Sequence, residues 1–78
     1  MAVDTLDYIA RNLVDHPDEV EITEAEDDDG QLVLELRVHP DDMGKVIGKR
    51  GRTAKAIRSM VKAAATRDGS TATVEIVE

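Results

Sequence analysis

Two hydrophobic periods alternate along this 78-residue chain, and each change of period marks an element. In residues 4–15, Leu6, Ile9, Ala10, Leu13 and Val14 follow the i, i+3, i+4, i+7, i+8 spacing of an amphipathic helix. Asp4 or Thr5 is placed to cap it, and Asp7 lies favourably in its first turn. His16-Pro17 should stop it, because the residue before a proline is driven out of the α region. From Glu19 the period becomes two. Val20 and Ile22 alternate with acids, then Asp27-Asp28-Asp29-Gly30 forms a turn, then Leu32, Leu34, Leu36 and Val38 share one face. That pattern predicts a β-hairpin, its acidic first arm near a sheet edge.

His39-Pro40-Asp41-Asp42 ends the second arm and starts a short helix from about Asp41 to Ile47, with the acids serving the helix start. This helix should bury Met43, Val46 and Ile47. Residues Gly48 to Gly51 interrupt the helical pattern, which resumes from about Arg52 to Thr66. Ala54, Ile57, Met60, Val61, Ala64 and Ala65 fall within one arc of that third helix, and Arg52, Lys55, Arg58 and Lys62 within another. Asp68-Gly69 ends it. Ala72, Val74 and Ile76 then alternate with Thr71, Thr73 and Glu75 as a last strand, able to pair within the hairpin's sheet. The order is α-β-β-α-α-β: an α+β sandwich of one three-stranded sheet with its helices packed on one face. A single domain over residues 1–78 is expected.

Composition sharpens the picture. Apolar residues make up 41% of the chain but aromatic residues only 1%, the lone Tyr8, so the core must be aliphatic. Chains this short are marginally stable unless stapled or associated. With no cysteine there is neither a disulfide nor a thiolate metal site, which leaves self-association as reinforcement. No apolar run approaches the ~20 residues that span a membrane. A cytoplasmic protein without membrane insertion is the expectation.

The net charge is −7, but it is segregated. Residues 1–42 hold fourteen acids and two bases, residues 43–67 eight bases and no acid, and residues 68–78 three acids. The middle segment is a local electropositive patch, and a polyanion senses local potential. At its centre stands Val46-Ile47-Gly48-Lys49-Arg50-Gly51-Arg52-Thr53. Two glycines three apart frame a turn whose backbone can closely approach another molecule. Between them Lys49 and Arg50 point outward, and the amides opening the next helix face the turn. A turn, two cations and a helix N-terminus make an anion site, and backbone phosphate of a nucleic acid is the anion it suits. A plain helical corner with Gly48 as C-cap explains neither Gly51 nor the paired cations.

Other chemistries fail on spacing. A phosphate-binding P-loop needs four residues between its glycines, whereas three separate Gly44 from Gly48, and no Gly-x-Gly dinucleotide fingerprint occurs. Registering Gly30 on a calcium loop puts Ala25 and Leu36 where carboxylates are required. His16 and His39 read as loop-boundary residues, and Ser59 and Ser70 lack a motif that positions a base. No enzyme activity, cofactor, metal or small-molecule substrate is expected.

The stretch from Val46 to Ile57 resembles the KH-domain signature, Ile-Gly-x-x-Gly followed by a helix, and the element order resembles the type II arrangement of that fold. The chain is similar throughout to the small bacterial single-KH-domain proteins of the KhpA-like family. The resemblance implies non-catalytic binding of single-stranded RNA, whose backbone the turn clamps over about four nucleotides. It implies close approach at Gly48 and Gly51, phosphate contacts from Lys49 and Arg50, and a charged rim from Arg52, Lys55 and Arg58. Val46, Ile47 and the residues from Leu36 to Val38 are candidates for an aliphatic base groove. The family likeness also implies a homodimer or a heterodimer with another KH protein, so the alternative is an adaptor for which RNA is secondary. Without a nearby aromatic, base stacking worth ~1–3 kcal/mol per base is missing, and binding should be modest and salt-sensitive.

Overall fold

A computed structural model describes residues 1–77; Glu78, one of the three terminal acids, lies outside the described residues. Helix α1 runs over Ala2–Leu13, two residues ahead of the span expected at both ends. Met1 occupies its N-cap, so neither Asp4 nor Thr5 caps it; the Thr5 hydroxyl donates instead to the Met1 carbonyl. Ala2, Leu6 and Ala10, spaced four apart, make its buried stripe. The helix ends before His16-Pro17 because the next amides are engaged elsewhere: Asp15 and His16 both donate to the Asp42 carboxylate. Val14 is extended and turns into the core.

A single 3₁₀ turn over Pro17–Glu19 leads to strand β1, Glu21–Glu26. It pairs antiparallel with strand β2, Leu32–Arg37, in a register that sets Ile22 opposite Leu36 and Glu24 opposite Leu34. The Asp27 carboxylate closes the hairpin, accepting the amides of Asp29 and Gln31 at 2.9 Å, while Gly30 takes φ +81°. Strand β3, Ala72–Val77, lies parallel to β2, with Val74 opposite Leu34, so β2 is central and β1 is an edge. Glu24 and Glu26 share the helix-facing side with Ile22 yet are exposed, so the helices leave that end of the hairpin uncovered.

Between β2 and β3 the chain forms a 3₁₀ turn at Pro40–Asp42, helix α2 over Met43–Ile47, a tight turn, and helix α3 over Arg52–Arg67. The core joins Leu6 and Ala10 of α1, Leu34 and Leu36 of β2, Val46 of α2, Ile57 and Val61 of α3, and Val74 of β3. Three residues placed inside by periodicity are outside: Leu13 and Ile47 are each 38% exposed and Met60 46%. Leu13 is the last residue of α1, and Ile47 and Met60 sit at the border of their arc. Helix α2 is only five residues long, and a helix that short cannot turn a broad stripe inward.

Leu34 is fully buried on the central strand, between both neighbours. Leu34→Ala should lower unfolding free energy by about 2–5 kcal/mol, a large share of what a domain this small holds. Urea unfolding followed by circular dichroism reads that loss.

Candidate nucleic-acid interface

The turn begins where α2 runs out. The Gly48 amide donates to the Gly44 carbonyl at 2.9 Å, and the backbone then swings to φ +75°, ψ 174°, a region open essentially to glycine alone. Arg50 follows at φ +59°, ψ 26°, and Gly51 at φ +73°, ψ 13°. The Gly51 amide closes the turn on the Gly48 carbonyl at 3.2 Å. Arg50 is the sole non-glycine with positive φ among the described residues. An L-residue in that conformation costs roughly 1–2 kcal/mol, so tertiary structure must hold it there.

The two glycines do different work. A Cβ on Gly48 would overlap the Thr53 side chain, lying 2.6 Å from Thr53 Cβ and closer still to its hydroxyl. The missing atom therefore lets the turn seat on the first turn of α3. A Cβ on Gly51 would meet nothing within 4 Å; glycine serves there for its left-handed backbone, and the space around it is open. Close approach by another molecule is thus available at Gly51 but already used internally at Gly48.

Lys49, Arg50, Arg52 and Lys55 are all exposed, and no described carboxylate forms an ion pair with any of them. Arg58 is partly committed: its Nε donates to the Val74 carbonyl at 3.3 Å, tying α3 to β3. Lys45 is committed too, its ammonium 2.9 Å from Asp15, a hydrogen bond and charge that hold its pKa above the ordinary lysine value. The aliphatic candidates divide. Val46, Leu36 and Val38 are core residues with almost no accessible surface, and so cannot line a groove; Ile47 alone presents apolar surface. Gly44, which sequence reasoning passed over, is exposed with open space around its Cα. It lies one helical turn before Gly48 and beside Ile47, a spacing that was visible in the sequence.

The larger omission is Asp42. Its side chain makes no cap, though the sequence places it at a helix start; it is buried, 1% exposed, and reaches back 26 and 27 residues. It accepts the Asp15 amide at 3.2 Å, the His16 amide at 3.0 Å and His16 Nδ1 at 2.9 Å. Burial alone would push its carboxyl up; the His16 imidazole and the two amides outweigh that and hold it below its ordinary value. The hydrogen bond that His16 Nδ1 donates to Asp42 chiefly raises His16 above its ordinary value, against a partial opposing effect of burial. His16 stacks on His39 with ring centres 4.0 Å apart. The two histidines, distant in sequence, are neighbours.

The comparisons agree with this geometry. The family described as KhpA/KhpB, KH domain, matches residues 3–76. The chain belongs to that family. It is 56% identical to the RNA-binding protein KhpA of Halalkalibacterium halodurans over 94% of this chain and 95% of that protein. It is 53% identical to RNA-binding protein KhpA of Clostridium acetobutylicum over 92% and 95% of the two chains. Among solved structures, Era of Aquifex aeolicus, a variant bound to GDP and an aluminium fluoride, superposes with a TM-score of 0.64 over 96% of this chain and 29% of that one. At 22% identity that likeness speaks for the fold alone.

Gly51→Ala should cost roughly 1–2 kcal/mol, the expense of a left-handed alanine, whereas Gly48→Ala should cost more because its Cβ also meets Thr53. Paired urea titrations measure the difference; equal costs would contradict the separate roles assigned to the two glycines.

Proposed function

We propose that the protein binds single-stranded RNA without catalysis, gripping the sugar-phosphate backbone at the Gly48–Gly51 turn. The observation that carries this reading is the strained turn itself. A left-handed Arg50 is held beside an open Gly51, and four cations around it lack carboxylate partners. Lys49 and Arg50 meet phosphates, Gly51 admits the chain, and Arg52 and Lys55 extend the contact along α3. Arg58 serves more as a brace than as part of the rim, since its Nε already holds β3. Ile47 beside Gly44 offers the small apolar surface on which a base can rest. The names of the KhpA relatives, as RNA-binding proteins, support the same partner.

The grip of one such domain is modest. Its apolar surface near the turn is a single isoleucine, no aromatic stands nearby, and the remainder of the chain is strongly acidic. Useful affinity then comes from joining two domains, in a homodimer or with another KH protein, because linkage makes the second contact intramolecular. The setting is the cytoplasm, and the KH domain spanning residues 1–78 acts as an RNA chaperone or post-transcriptional regulator. No helix among the described residues is long and apolar enough to cross a membrane.

Binding of a short fluorescent single-stranded RNA pool tests the reading. Lys49→Asp/Arg50→Asp should abolish binding while the circular dichroism spectrum is unchanged. The milder Lys49→Gln should weaken binding and flatten the log K against log salt slope by about 0.7, the value for one lost phosphate contact on a single strand. Unaltered binding by the double variant would place the RNA elsewhere.

A further inference from the structure

Helix α2 carries the turn but cannot hold itself. Five residues are far below the length at which a helix is stable alone, so its orientation comes from tertiary contacts. One is Val46, in the core. Met43 packs against the same core and α3 runs against α2. The side-chain hydrogen bonds and ion pairs, by contrast, lead to a single segment, the exit from α1: Asp42 at the head of α2 binds the Asp15 and His16 amides, and Lys45 within α2 pairs with the Asp15 carboxylate. The polar link between that segment and the Gly48–Gly51 turn therefore runs through the Lys45–Asp15 pair and through one buried carboxylate, which holds two amides and one imidazole.

We propose that Asp42, His16 and His39 form a proton-sensitive latch that sets how firmly α2, and with it the Gly48–Gly51 turn, is held. The geometry supplies each part. A carboxylate only accepts, so His16 Nδ1 must donate to Asp42, and a proton on the other nitrogen turns that hydrogen bond into an ion pair around a buried oxygen. His39 Nδ1 already accepts the Asp41 amide at 3.0 Å, so the proton that the assembly takes up belongs on His16. The surrounding charges favour it. Glu19 and Asp41 both act on His16, and the same two carboxylates lie 3.7 and 3.8 Å from the His39 ring nitrogens. Of the cations nearby, Lys45 is neutralised by Asp15, Arg11 pairs with Asp7 while donating to the Pro17 carbonyl, and Arg37 lines the same cleft as His39.

The direction follows from linkage. His16 is raised above 6.5 in the folded chain, so its contribution is complete below that value and is lost as pH climbs through the raised one. Asp42 is lowered below 3.8, so its contribution is complete above that value and is lost only as pH falls through the lowered one. The latch is tightest in the mildly acidic range between them and slackens as pH rises through the raised His16 value. It keeps the Nδ1 hydrogen bond throughout, so the turn loosens rather than unfolds.

The consequence for RNA rests on the reading of the turn as its clamp, and the test separates the two. Amide hydrogen exchange, expressed as protection factors for residues 43–48 without RNA, is compared between pH 6 and pH 8 for the wild type and His16→Asn. Asparagine keeps a neutral donor near the Nδ1 position but cannot take up a proton, and His16 is exposed enough to tolerate it. The wild type should lose protection several-fold on going to the higher pH, and the variant should stay flat. RNA affinity, measured in parallel at constant salt, should weaken over the same range in the wild type only. Protection that follows the same pH profile in both proteins would overturn the latch whatever the RNA does. A wild-type protection change without RNA binding at either pH would overturn the clamp and leave the latch standing.

Discussion

The path of the chain from α2 into α3 depends on one steric constraint, the space beside Gly48 that Thr53 fills. Because the Thr53 side chain stands where a Cβ would be, the backbone can leave α2 at φ +75° and drop onto the start of α3. That seating holds Arg50 in a conformation it would otherwise avoid and leaves Gly51 open to the outside. Under the proposed RNA reading, a turn already seated on α3 leaves less ordering for the moment of binding than a loose glycine loop would. The glycine pair thus acts as a shape, with one member facing inward and one outward.

The charge arrangement complements that shape. The basic segment is concentrated on α2, the turn and α3, whereas most of the acids occupy the hairpin and the loop after α1. Within the basic segment the structure distinguishes cations already engaged from those that face solvent. Lys45 and Arg58 are engaged, one by Asp15 and one by the Val74 carbonyl, and both join elements on either side of the turn. Lys49, Arg50, Arg52 and Lys55 are exposed and carry the local potential. The engaged cations build the platform that presents the others.

Periodicity made most of the fold legible. The alternation of Leu32, Leu34 and Leu36, the helical spacing of Ile57, Val61 and Ala65, and the punctuation by glycine all act over a few residues, and local patterns report local structure. The tight turn framed by Gly48 and Gly51 was legible for the same reason. What escaped depended on pairs far apart in the chain. Nothing in the words His16-Pro17 and Asp41-Asp42 shows that one carboxylate will collect two amides from the other site and end α1 early, or that His16 will stack on His39. Asp42 has the sequence position of a capping residue, and a cap is the local use of a carboxylate; burial overrode it. Ile47 and Met60 were misplaced because an arc drawn on a helical wheel has no edge until a partner element defines one.

The proposed RNA interface is the turn between α2 and α3. Amide chemical-shift mapping by nuclear magnetic resonance, with a short single-stranded RNA added stepwise, tests that placement. The largest changes should fall between Gly44 and Lys55, with the acidic hairpin from Glu21 to Gly30 nearly silent. Shifts concentrated on the hairpin or the outer face of the sheet, with Gly48 to Arg52 unmoved, would contradict it.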